Sequence, residues 1–220
     1  IRSDAQSQKR FSGHGGAIAQ CYNHMIMPLA NRRDKETQIR WGIRDFQKRF
    51  GRDPEGMWLP ETAVDTGTLE MLAQQGIRFT ILAPRQARRV RRTGENEWRD
   101  VSGEHIDPQR AYRCPLPSGK SIAVFFYDGP VAKDVAFRGL LSDGKTFFDR
   151  LMSLFGPDNG QRLVHIATDG ESYGHHHRFG EMALAFCLDR VEKNPDVALT
   201  VYAEFLEKFP PEEEVEIFEN

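Results

Sequence analysis

The chain has 220 residues, 39% of them hydrophobic, with a formal net charge of −2. That length suits one large domain or two small ones with a packed core, and the charge balance gives no whole-chain reason to expect nucleic acid or an acidic membrane as partner. No apolar run approaches the roughly 20 residues of a membrane-spanning helix.

In chain order, residues 1–16 read as loop. "IRSDAQSQKRF" is polar and basic, unlike a signal peptide, and a start at Ile1 rather than Met suggests part of a longer polypeptide. "AIAQCYNHMIMPLA" reads as a short strand or buried segment. "RDKETQIRWGIRDFQKRFG" sets Ile39, Ile43, Phe46 and Phe50 at helical spacing and ends on Gly51, predicting an amphipathic helix. "GMWLP" predicts a strand running into a loop. "DTGTLEMLAQQGI" predicts a helix capped by Asp65 or Thr66 and stopped by Gly76. "RFTILA" predicts a strand.

Residues 84–120 lack periodicity and carry many charges, so they read as an irregular excursion. Beyond them, "SIAVFFYDG" and "RLVHIATDG" predict strands, "DGKTFFDRLMSLFG" and "RFGEMALAFCLDRVEKN" predict helices, and "VALTVYAEFLEKFPP" predicts a strand entering a short helix. Alternation of strands and helices argues for an α/β fold with parallel strands, as a barrel or an open sheet. Such folds assemble active sites at the C-terminal ends of strands.

Two acids take that position. Glu61 follows "MWLP", where Pro60 stiffens the turn and can aim a carboxylate; a helix cap or a solvated acid is the plainer reading. Asp169 follows "RLVHIAT", with Gly170 permitting a tight turn; it too is open to a capping role. Two carboxylates at the ends of two strands are what glycoside cleavage needs: one protonates the leaving oxygen, the other attacks or activates water. Glu171, two residues on, is placed to raise the pKa of such an acid. Asp128, at the end of "IAVFFYD", is a third acid in an equivalent position.

The rival centre is His175-His176-His177. On a helix these three rings point about 100° apart and cannot share one metal. On an extended loop His175 and His177 could share a side, and His177 with Glu181 has i, i+4 spacing, which zinc would accept. No HExxH or CxxC pattern is present. The same histidines could donate hydrogen bonds to a sugar or sit at a helix start. Trp58, Tyr173 and Phe179 are aromatic neighbours of the acids; Trp58 reads as core or as a wall of the site, and Tyr173, on the loop, as the better ligand contact. His24 could reach the mouth or serve the core. "RQARRVRR", residues 85–92, is a solvated loop or a run that binds phosphate or a nucleic-acid backbone, though no aromatic interleaving or RNA-binding motif accompanies it. Cys21, Cys114 and Cys187 form no motif and point to packed thiols in a reducing, cytoplasmic setting.

The runs "YNHMIMPLANRRDKETQIRWGIRDFQKRFGRDPEGMWLPE" and "ATDGESYGHH" resemble family 57 of the glycoside hydrolases, over roughly residues 12–210. The similarity is greatest to the branch whose members carry an additional domain of unknown function. The resemblance implies a partial, distorted (β/α)7 barrel of parallel strands with helices outside, spanning residues 1–220 as one catalytic-domain fragment. It implies a retaining mechanism on α-linked glucans, with Glu61 as nucleophile, Asp169 as general acid/base and no metal or other cofactor. Trp58, Glu171, Tyr173, His175, His24 and Asp128 would then contact the oligo- or polysaccharide. The family's first motif, a histidine-containing strand, is absent, and consecutive histidines after "DGESYG" are not general to its amylase-type members. Related polysaccharide deacetylases use a metal in a similar barrel, which keeps a metal-dependent hydrolase as the alternative, beside a non-catalytic carbohydrate-binding domain.

Overall fold

A computed structural model describes residues 1–156 and 161–219. The chain divides into two compact units, Ile1–Phe126 with Val201–Asn220, and Tyr127–Thr200.

The first unit opens with α1 (Arg2–Arg10), where a loop was expected. It has no apolar stripe, and tertiary contacts hold it instead. The buried Asp4 carboxylate accepts bonds from the Ala17 N–H (2.8 Å) and from two nitrogens of Arg52 (both 2.9 Å). Strand β1 (Ala19–Gln20) leads to α2 (Arg32–Phe50), whose Asn31 cap accepts from the Asp34 N–H and whose end is turned by Gly51 at φ 69°. Ile39 and Phe46 are its buried face. Strand β2 (Met57–Trp58) pairs parallel with β1. Helix α3 (Thr66–Gln74) is capped by Asp65, and β3 (Phe79–Leu82) is buried throughout.

Residues 84–120, expected to be irregular, carry β4 (Ala87–Arg92), β5 (Arg99–Asp100) and β6 (Ala111–Pro115). Strand β7 (Ser121–Phe126) follows, where a strand was expected. The second unit holds α4 (Gly129–Phe137), α5 (Gly144–Met152) and α6 (Gly180–Glu192). The chain then re-enters the first unit as α7 (Tyr202–Lys208) and β8 (Glu213–Ile217).

The main sheet has the order β3-β7-β6-β8-β4-β5. It is mixed, not uniformly parallel as expected, and no closed barrel forms among the described residues. β3 and β7 are parallel, and a parallel bridge from Gly56 to Phe79 continues them toward β2 and β1. β6 runs antiparallel to β7 because only residues 116–120 join them, and a short hairpin cannot return a strand in parallel. β8 lies antiparallel to β4, and its acids meet the basic run. Arg89 pairs with Glu216 at 2.7 Å and Arg91 with Glu214 at 2.6 Å, while Trp98 stacks against both guanidiniums at 4.7 and 4.5 Å. Two of the five arginines of residues 85–92 are thus paired within the sheet.

The expected strand at "RLVHIATDG" does not form: residues 161–169 lie outside any strand. Its His165 carbonyl accepts the Asp128 N–H at 3.1 Å, and Ile166 packs on the core of the second unit, made by Val135, Leu141, Phe147, Ala183 and Cys187. Its apolar residues reflect side-chain burial without a ladder of backbone bonds. The stretch before α7 likewise has no strand. No described helix is long and apolar enough to cross a membrane.

Candidate active site

"PETA", residues 60–63, folds into a turn whose two central residues are both left-handed: Glu61 and Thr62 each have φ 56°. Two adjacent non-glycine residues in this region cost roughly 1–2 kcal/mol each. The turn persists because its flanks leave it no room. Leu59 and Val64 are fully buried. The Thr62 N–H bonds the Leu59 carbonyl and the Ala63 N–H the Pro60 carbonyl, both at 3.0 Å. Downstream, Asp65 caps α3 through the Thr68 N–H and pairs with Lys35, and Glu219 accepts the Thr66 N–H at 2.9 Å. Pro60 supplies the fixed entry to the turn.

The result is a presented carboxylate. Glu61 caps no helix, and its side chain is 69% exposed. One oxygen lies 2.9 Å from Nε2 of His24, whose ring is 70% exposed. An ionised carboxylate only accepts, so Nε2 carries the hydrogen of this bond. His24 reaches it from the loop after β1. Trp58 is half-buried and lines a groove of about 710 Å³ along β1 and α2, with Gln20, Tyr22, Asn23, Asp45 and Arg49 among its polar walls.

The second unit carries the remaining candidates. Asp169 is exposed and gives no side-chain bond to the short turn Gly170–Ser172 that follows it, so its carboxylate is not spent as a cap. Glu171 is exposed, and its carbonyl accepts the His176 N–H at 2.8 Å. The Tyr173 hydroxyl bonds the Thr168 hydroxyl at 3.0 Å while its ring packs on the unit's core. Asp128 serves the local structure, accepting the Val131 N–H at 2.8 Å as the cap of α4.

The three histidines diverge. His177 Nε2 donates to the Ala136 carbonyl at 3.1 Å, which takes it away from the i, i+4 pairing with Glu181. His175 and His176 are exposed, with rings edge to face at 4.9 Å. Among the described residues no group of three or more His, Cys, Asp or Glu side chains could hold a metal. The aromatic ring of Phe179 is 60% exposed, beneath the Arg178 guanidinium. All three cysteines are free and buried, and burial pushes the thiols of Cys21 and Cys114 up to about 12 and that of Cys187 up to about 11, far from nucleophilic at neutral pH.

Two contributors escape sequence reading. Gln86 is fully buried, with Nε2 donating to the Thr62 carbonyl at 2.7 Å and Oε1 accepting the Ala83 N–H at 2.9 Å. Nothing in "APRQ" marks a glutamine 25 positions from Glu61 as its neighbour. Gly42 lies mid-helix in α2, where a Cβ would stand 2.0 Å from the Gln20 carbonyl oxygen. An isolated glycine inside a helical pattern was the available signal for such a close approach.

Comparison with known proteins adds the lineage. The chain is 22% identical over 152 residues to Alpha-amylase 1 of Dictyoglomus thermophilum, matching 68% of this chain but 19% of that protein. It superposes on a 4-alpha-glucanotransferase from Thermococcus litoralis with a TM-score of 0.72 and 21% identity, covering 98% of this chain and 32% of that one. On a branching enzyme from Thermococcus kodakaraensis the TM-score is 0.75 with 18% identity, covering 98% of this chain and 51% of the other. The chain therefore spans a fifth to a half of these proteins, and likeness at such identity speaks for the fold. A family model aligns with residues 11–217. Since that match runs through the Glu61 turn and the Asp169 loop alike, the chain belongs to glycosyl hydrolase family 57.

Proposed function

We propose that the chain is the catalytic-domain segment of a retaining glycoside hydrolase or glucanotransferase acting on α-linked glucans. Glu61 attacks the anomeric carbon and forms a glycosyl-enzyme. Asp169 protonates the departing oxygen, then deprotonates the water or acceptor sugar that resolves the intermediate. His24, Trp58, Glu171, Tyr173 and His175 contribute to holding the sugar, and Asp128 does so through the carboxylate oxygen that does not cap α4. Both roles require the two carboxyl groups to flank one glycosidic bond at about 5–5.5 Å. The names of the similar proteins support an α-glucan as substrate.

The observation that carries the reading is the left-handed turn at Glu61: backbone strain concentrated on an exposed acid that caps nothing and is hydrogen-bonded to an exposed histidine. The parallel series β1, β2, β3, β7 is in keeping with one side of a (β/α)7 barrel, and the reduced, buried thiols with a cytoplasmic protein. Residues 1–220 on this reading act as one catalytic domain.

The test is Glu61→Gln in the full-length protein, assayed on a panel of α-glucans with bound metal measured in parallel. The variant should fold as the parent does and lose at least about a thousandfold in kcat. Undiminished turnover would end the assignment of Glu61. Activity that follows bound zinc and disappears with a chelator would favour a metal-dependent hydrolase.

A further inference from the structure

We propose that Gln86 is a positioning residue for Glu61, holding the left-handed turn that presents the carboxylate. The inference rests on the reading of Glu61 as the nucleophile.

The Thr62 carbonyl, at the exit of the turn, finds its donor in the Gln86 amide. Gln86 is fully buried, on the short turn Pro84–Gln86 that follows β3. Its side chain bridges two stretches of main chain: it donates to the Thr62 carbonyl at 2.7 Å and accepts from the Ala83 N–H at 2.9 Å. Its main-chain carbonyl accepts the Phe218 N–H at 2.8 Å, so the residue is anchored by its side chain just after β3 and by its backbone just after β8. An apolar side chain of equal size would fill the space but leave a buried donor and a buried acceptor unpaired.

The bridge fixes the peptide after Thr62, and with it the pair of left-handed residues Glu61 and Thr62. Neither residue is glycine, so nothing intrinsic to them prefers this conformation. Without the bridge the turn relaxes toward ordinary backbone angles and swings the Glu61 carboxylate away from His24. Gln86 touches no substrate on this account; it acts through Glu61 alone.

The test compares the full-length parent with Gln86→Met and Gln86→Glu on soluble amylose. Methionine keeps the volume and removes the bonds to Thr62 and Ala83. Glutamate keeps an acceptor for Ala83 and loses the donor to Thr62, and it serves if the methionine variant fails to fold. The expected result is a fall in kcat of on the order of a hundredfold with KM within about twofold of the parent. Adding Thr62→Gly, which adopts positive φ freely, should return kcat at least severalfold toward the parent value. A bystander in the core would not be rescued this way. Unchanged kcat in the folded Gln86 variants, or no recovery with Thr62→Gly, overturns the inference. Loss of activity in Glu61→Gln with parental kcat in Gln86→Met would sink this proposal and leave the nucleophile assignment standing. Full activity in Glu61→Gln would sink both.

Discussion

Gly42→Ala and Gly67→Ala are the same chemical change in two helices, and the structure demands opposite outcomes. In a helix interior, alanine ordinarily gains up to about 1 kcal/mol over glycine. At Gly67 in α3 the new methyl would meet the Asp65 carboxylate at 3.7 Å, an ordinary contact. That variant should be stabilised by about 0.4–1 kcal/mol, because alanine restricts the unfolded chain at a position whose backbone it fits. At Gly42 the methyl would lie 2.0 Å from the Gln20 carbonyl oxygen, and real contacts rarely fall below 3.0 Å. That oxygen belongs to the backbone of β1 and cannot rotate aside. Helix α2 must therefore move by about 1 Å or more off the strand. The move would strain the packing of Ile39 and Phe46, and the bonds from the Tyr22 N–H to the Gln38 carbonyl (3.2 Å) and from the Asn23 N–H to Gln38 Oε1 (2.7 Å). Overpacking of this kind costs roughly 1–3 kcal/mol, from which the helical gain subtracts about 1. A net loss of up to about 2 kcal/mol lowers Tm by up to roughly 8 °C in a chain of this size. Thermal unfolding followed by circular dichroism reads both variants side by side. A Gly42→Ala protein as stable as Gly67→Ala would refute the close approach of α2 to β1, and with it the fixed position of the loop that carries His24.

Three further outcomes follow from other contacts. His14 has Glu55 2.8 Å from Nδ1 and Glu207 at Nε2, with Arg78 on Glu55, and Ser12 and Lys208 on nearby Glu204. Burial of the ring opposes its charge, but the carboxylates of Glu207 and Glu55 outweigh that and raise its pKa above 6.5. Its contribution to stability should be complete below pH 6.5 and vanish as pH rises through the raised value; a His14→Gln protein with the same alkaline loss of Tm would contradict this. Asp4 has its pKa lowered chiefly by the hydrogen bond from Arg52, so its contribution is present above pH 3.8 and lost as pH falls through the lowered value. Asp4→Asn leaves Arg52 without its buried counter-charge and should cost about 3 kcal/mol in urea unfolding, with hydrogen exchange rising first across residues 2–10. Phe147, 1% exposed in the core of the second unit, should cost about 3–5 kcal/mol as Phe147→Ala, read as faster proteolysis within residues 127–200.

Local chemistry was legible where one segment supplies its own reason. Gly51 and Asp65 bound α2 and α3 as their residue types require, because capping is satisfied within four residues of the helix end. The buried strands Phe79–Leu82 and Ser121–Phe126 announced themselves by apolar, β-branched and aromatic content. The family motifs around Glu61 and Asp169 were equally readable, since they lie in single runs of sequence. Helix α1 was not readable, because what holds it is a salt bridge between Asp4 and Arg52, 48 positions apart. Nor were the strands of residues 84–120, whose charges only make sense once the acids of β8 stand opposite them. The apolar run at 163–167 misled in the other direction: burial is a property of side chains, whereas a strand needs a neighbouring backbone to pair with. The same division applies to Glu61. Its identity and its proline come from the sequence, but its left-handed backbone and the buried glutamine behind it exist only in the folded chain, where distant peptide groups must find hydrogen-bond partners away from water.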